Sequence, residues 1–102
     1  MRIAIASDDG KEKSKISPRA GRAPKFIIFE DGKPQKVIDN PFEVGGGGAG
    51  YGVAQMLANE KIDLVISEKF GHKMVEAMED KGIEYKELQD KTIEEALGEI
   101  KQ

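Results

Sequence analysis

The chain has 102 residues, 38% of them hydrophobic, with 16 basic and 19 acidic side chains and a formal net charge of −3. That is enough apolar material for one compact core but not two, so a single domain over residues 1-102 is expected. The near balance of charge, with no basic run, argues against a duplex nucleic-acid binder; the absence of cysteine excludes disulfides, thiolate catalysis and Cys-ligated zinc or iron–sulfur sites.

The opening MRIAIASDD meets acidic residues too soon for a signal peptide. Nothing later approaches the roughly 20 apolar residues of a membrane span. The expectation is a soluble, cytoplasmic protein with no membrane or nucleic-acid partner. A composition rich in Lys and Glu and free of Cys and Trp is also what a thermophile would use.

Ile3 to Ala6 is a short apolar run ended by Ser-Asp-Asp-Gly turn chemistry, which predicts a first strand over about residues 2 to 7. Residues 8 to 24 have no period and contain Pro18 and Pro24 around Arg19-Ala20-Gly21-Arg22-Ala23, so a long loop is expected there. Loops of this length in a small domain are usually functional or mobile. Phe26 to Phe29, then Asp31-Gly32, then Val37-Ile38 read as strand, tight turn and antiparallel strand.

Six of the twelve glycines crowd between Gly45 and Gly52, and after them Val53, Ala54, Leu57 and Ala58 recur at helical spacing up to Glu60. Ile62 and Leu64 to Ile66 form a fourth strand whose nearly continuous apolar run suits burial on both faces. A second helix carries Met74, Val75 and Met78 on one stripe and stops at Gly82; Ile83 to Tyr85 is a short fifth strand. Thr92 and Glu95 form a capping box that opens a third helix through Ile100.

The order β-β-β-α-β-α-β-α predicts an α/β domain with a five-stranded mixed sheet and three helices. Antiparallel pairing of the second strand and right-handed crossovers give the strand order 3-2-1-4-5, the ribonuclease H-like arrangement. The carboxyl ends of strands 1, 3, 4 and 5 then share one edge, where open α/β sheets bind ligands. The loops at that edge include Ser7 to Pro24, Asn40 to Gly50 and Ser67 to His72.

The glycine run formally satisfies G-x-G-x-x-G, with Glu68 eighteen residues beyond Gly50. Its context fits poorly, because Pro41-Phe42-Glu43-Val44 separates it from the preceding strand and the chain cannot supply two mononucleotide halves. No Gly-Lys-Ser/Thr follows, so a P-loop is excluded. What the run offers is backbone N–H groups ahead of a helix N-terminus, suited to an anion, with a permissive surface loop as the plainer reading.

Arg19 and Arg22 on the neighbouring loop favour the anion, since guanidinium forks recognise oxyanions and sulfide-rich anions. Asp8 and Asp9 stand where a ribonuclease H-type nuclease keeps a metal carboxylate, but no partner carboxylates are evident, and turn residues are the better reading. His72 is the only imidazole at the ligand edge and the candidate metal ligand; Met74 and Met78 read as core packing.

Met1 to Ser7 (MRIAIAS), Ile16 to Phe26 (ISPRAGRAPKF), Asn40-Pro41 with Gly45 to Gly52 (GGGGAGYG), and Ile62 to Gly71 (IDLVISEKFG) follow one another in a pattern that spans nearly the whole chain. It resembles the dinitrogenase iron-molybdenum cofactor biosynthesis family, the NifX-like small proteins and the matching C-terminal domain of the nitrogenase cofactor assembly protein. The resemblance implies a non-catalytic ribonuclease H-like domain that binds or carries a metal–sulfur cluster, iron-molybdenum cofactor or a precursor.

Family members commonly have His-Phe where this chain has Arg19-Ala20, so one candidate metal ligand is missing. A non-covalently held iron/molybdenum–sulfur cluster would therefore rest on Arg19, Arg22, the backbone of Gly45, Gly46, Gly47, Gly48, Ala49 and Gly50, and His72. Its partners would be the cluster or another anion and a protein of cofactor assembly, with the chain a monomer or weak homodimer. Two other readings stay open: a binding domain for a phosphorylated small molecule or nucleotide at the glycine-rich loop, and an interaction domain offering Phe42 and Phe70 as exposed apolar contacts.

Overall fold

The computed structural model describes residues 1–42 and 49–100. Five strands, β1 (Arg2–Ser7), β2 (Lys25–Glu30), β3 (Lys33–Asp39), β4 (Leu64–Ser67) and β5 (Glu84–Glu87), form one sheet in the order β3-β2-β1-β4-β5. β2 runs antiparallel to β1 and β3, whereas β4 and β5 run parallel to β1. Helices α1 (Ala49–Asn59), α2 (His72–Asp80) and α3 (Ile93–Glu99) complete the domain. Fold class, strand order and helix number are those expected from the sequence.

The alternation of β1 sorts its side chains onto two cores. Ala4 and Ala6 join Phe26, Ile28 and Val65 beneath Val53 and Leu57 of α1 and Met74 and Met78 of α2. Ile3 and Ile5 face the other way, with Ile27, Phe29 and Ile66, against Ile93 and Ala96 of α3. The small alanines on the first face let two helices approach the central strand. Met74 and Met78 are packing residues, buried in that core.

Local chemistry explains the boundaries. Asp31 and Gly32 both have positive φ (52° and 82°), the two-residue turn whose twist matches a hairpin. α2 ends in a Schellman cap: Ile83 N–H donates to Met78 O (2.9 Å) and Gly82 N–H to Glu79 O (3.1 Å), with Gly82 at φ 72°. α1 ends the same way on Lys61, at φ 60°, with Ile62 N–H on Leu57 O. Ile62 and Ile83 therefore serve as buried cap residues rather than opening β4 and β5, and β5 is displaced to Glu84–Glu87.

β3 is longer than Val37-Ile38 suggests, because its charged and exposed residues carry no apolar alternation. A register shift opposite Ile28/Phe29 and the presence of Pro34 make it a poor template for further pairing, as edge strands require.

The capping box of α3 is complete. Glu95 N–H donates to Thr92 Oγ1 (3.1 Å), and Thr92 N–H donates to Glu95 Oε1 (2.8 Å). The backbone hydrogen bond from Thr92, followed by the side-chain one, holds the Glu95 carboxyl below its ordinary 4.5. A depressed folded-state pKa contributes stability that is present above the unfolded value and lost as pH falls through the folded one. Glu95→Gln should therefore lose stability near neutrality and show a shallower acid limb below pH 4.5. Urea midpoints measured across that range test this; parallel curves for wild type and variant would reject it.

Candidate functional site

The segment from Asp8 to Pro24 crosses the carboxyl edge of the sheet and is fastened by hydrogen bonds at several points. Ser17 N–H donates to Ala6 O (2.9 Å), Ser67 Oγ–H to Ser17 O (3.0 Å), and Ala20 N–H to Lys69 O (3.0 Å). Ile16 N–H reaches Lys91 O, and Ile93 and Glu94 N–H groups return to Ser14 O and Glu12 O. The expected long loop is thus pinned to β1, to the end of β4 and to the start of α3. Its tip, Ala20–Arg22, is a single turn of 3-10 helix closed by Arg22 N–H on Arg19 O (3.1 Å).

This anchoring decides where the two arginines stand. Ala20 and Ala23 are fully buried in the core shared with Phe26 and Val53, so the turn is plugged into the domain while Arg19 and Arg22 remain exposed beside it. Arg19 forms a parallel bridge with Lys69, which brings the turn alongside the loop leading to α2.

The starts of α1 and α2 meet at the same edge. A Cβ on Gly50 would lie 2.9 Å from the backbone N of Met74, so glycine at this position lets the two helices touch by main chain. Two helix N-termini, each the positive end of a dipole, then sit side by side, α1 in contact with the arginine turn. Gly50→Ala must push the helices apart and should cost about 1–3 kcal/mol, as overpacking does. Gly71→Ala, where nothing lies within 4 Å of the added carbon, should be near neutral. Chemical denaturation of the two variants checks the contrast, and equal midpoints would contradict it.

Asn40, which sequence reasoning treated only as part of a motif, is 3% exposed and lies against the turn. Its Nδ2 donates to Ala23 O (2.9 Å) and Gly21 O (3.3 Å), its N–H to Pro24 O (2.8 Å), and its Oδ1 accepts from Phe42 N–H (2.9 Å). Phe42 then rests against α1, where a Cβ on Gly52 would come within 2.4 Å of its ring. The only sequence signal for this role was an Asn-Pro pair following a strand.

His72 is the first residue of α2, with an 86% exposed side chain and its Nε2 3.0 Å from Glu76 Oε2. Ala49 and Gly50 open α1, whereas Gly45, Gly46, Gly47 and Gly48 lie outside the described residues. Among the described residues no three His, Asp or Glu side chains are grouped to hold a metal ion. A groove of about 430 Å³ beside α1 is lined by Phe42, Gly52, Gln55, Met56, Asn59 and Glu60, apart from Arg19, Arg22 and His72.

Asp8 and Asp9 are turn residues. Asp8 Oδ1 accepts from Ser17 Oγ–H (2.7 Å), and Asp9 accepts from Lys11 N–H and Ser14 Oγ–H (2.8 and 2.7 Å). The Ser14 hydroxyl, then the Lys11 amide, hold the Asp9 carboxyl below its usual range. Nor are Phe42 and Phe70 free contacts: both are half-buried against the core, and the Phe70 ring lies 5.0 Å from Tyr85 at 57°.

No described helix is long and apolar enough to cross a membrane. The Arg19–Arg22 turn and the starts of α1 and α2 lie at one edge of the sheet.

Known proteins share this fold. The chain is similar to the orange protein of Desulfovibrio gigas in its apo form, at 26% identity and a TM-score of 0.88, covering 95% of this chain and 83% of that one. A NifB-named protein from Thermotoga is also 26% identical, with a TM-score of 0.81 and coverage of 95% and 84%. An uncharacterised protein of Methanocaldococcus jannaschii is 28% identical over 101 residues, 95% of this chain and 82% of that protein. The family described as dinitrogenase iron-molybdenum cofactor matches residues 1–102 from end to end, and the chain belongs to that family.

Proposed function

We propose that this chain is a non-enzymatic binding and carrier module for an anionic metal–sulfur cluster of the iron-molybdenum cofactor class. The observation that carries this reading is the convergence of the Arg19–Arg22 turn with the starts of α1 and α2 at one sheet edge, in a family named for that cofactor. The cluster is cargo, held by charge and hydrogen bonding. Guanidinium forks and helix N-termini suit oxo and sulfido groups, and a chain without cysteine has no thiolate to bond the metal directly.

In this reading Arg19 and Arg22 face the anion, and the backbone of Gly45 to Gly48 with Ala49 and Gly50 supplies N–H donors. His72 lends an imidazole at the rim. The protein works in the cytoplasm and hands the cluster to a partner of cofactor assembly.

The test is anaerobic reconstitution with molybdate, iron and sulfide, followed by gel filtration, metal analysis and visible absorption. Metal that co-elutes with the protein and colours it is expected. Protein that emerges free of metal would reject the carrier reading. Calorimetry against nucleotides and inorganic phosphate should be flat; a saturable response there would instead support the phosphorylated-ligand reading of the same edge.

A further inference from the structure

We infer that Asn40 is a positioning residue that locks the Arg19–Arg22 turn and the lead-in to the glycine segment into one rigid unit. The inference rests on the carrier reading for its purpose, but on geometry for its content. A single buried side chain joins two stretches 17 to 21 residues apart in sequence: Nδ2 faces the carbonyls of Gly21 and Ala23, and Oδ1 faces the N–H of Phe42. The orientation of the amide is forced, since only the NH₂ group can serve two carbonyls and only the oxygen can accept from an N–H. The backbone N–H of the same residue completes the clamp on Pro24 O.

Such a clamp matters for an anion held by donors from separate loops. Charge-assisted contacts are strong only when the donors are already aimed, and an arginine turn that drifts must be re-ordered at each binding event. Asparagine is suited to the position because it donates and accepts at once over a short, stiff side chain. Aspartate has the same shape but offers two acceptors, and would confront the Gly21 and Ala23 carbonyls with a second oxygen.

Asn40→Asp therefore cuts one half of the clamp and spares the other. Hydrogen exchange should show the Arg22 amide losing protection by about tenfold, the value of one ordinary hydrogen bond, while the Phe42 amide stays protected. In Asn40→Ala both amides should lose protection. Amides of β1 and β4 should exchange as in wild type in both variants, which separates loosening of the site from unfolding.

Metal retention gives the second readout. Arg19→Ala/Arg22→Ala should weaken retention of the reconstituted metal in the wild-type background, and should add little in the Asn40→Asp background, because arginines that are no longer aimed contribute little. A purely structural asparagine would leave the two losses additive.

Wild-type exchange at Arg22 in Asn40→Asp, or additive losses, would overturn the inference while leaving the carrier reading intact. Should the wild-type protein retain no metal, the carrier reading fails. The positional coupling is then decided by the exchange data alone.

Discussion

Replacing Arg19 and Arg22 together by alanine is expected to weaken retention of the reconstituted cluster by about tenfold to a hundredfold, the range set by losing charge-assisted hydrogen bonds worth about 1.5–3 kcal/mol each, reduced by the exposure of both side chains. The loss should come with little change in fold. Both residues are exposed, and the turn that carries them is held by backbone bonds and by the buried Ala20 and Ala23. Thermal unfolding should therefore move by no more than the equivalent of about 1 kcal/mol.

Lysine at the same positions should restore part of the retention and a steeper salt dependence, since it keeps the charge but not the planar fork. Metal content after gel filtration, measured at two ionic strengths for all three proteins, decides the matter. Equal retention by wild type and the alanine variant would remove the arginines from the site and with them the main support for an anionic cargo.

Phe26→Ala should produce the largest loss of stability in the chain. Phe26 is fully buried, pairs with Ala6 across β1 and Ile38 across β3, and shares a core with Ala20, Ala23, Val53 and Met74. Deleting an aromatic ring there removes its transfer free energy and leaves a cavity that neighbours on a sheet cannot close, at a cost of about 3–5 kcal/mol. Against a total of about 5–15 kcal/mol for a domain of this size, that is a large share of the whole.

The residue shares that core with Ala20 and Ala23 of the arginine turn, so partial collapse into the cavity should disturb cluster retention at temperatures where the fold survives. Val37→Ala offers the comparison: that side chain is 47% exposed on an edge strand and should cost no more than about 0.5 kcal/mol. Urea titrations of the pair check the prediction, and similar midpoints would show that the sheet relaxes more than close packing allows.

Most of the architecture was legible in the sequence, because it depends on contacts between near neighbours. Asp31-Gly32 specifies a tight hairpin by its dihedrals, Thr92 and Glu95 close a cap three residues apart, Met74 and Met78 make a stripe one turn apart, and Gly82 ends α2. Chain order and handedness then leave one reasonable strand order, and the carboxyl edge follows from it. The start of β5 was misplaced because an exposed edge strand carries no apolar alternation, and Ile83 spends its hydrophobicity on capping α2.

For the candidate site the sequence offered glycines before a helix and two arginines on a nearby loop, the basis of the proposed anion site, and nothing local says whether that loop is slack or anchored. Tertiary structure decided that it is anchored, through Ser67 reaching Ser17 across 50 residues and Asn40 reaching Ala23 across 17. It decided, too, that α1 and α2 begin against each other, because the Gly50–Met74 approach is a property of two helix axes and of neither sequence segment.

Phe42 and Phe70 read as exposed from their loop positions, yet Gly52 and Tyr85 give each a surface to cover. Periodicity and turn chemistry act over a few residues and fix the elements. Which loop side chains are buried, and therefore which polar groups must find partners, depends on how those elements pack, and that is settled only when distant segments share one core.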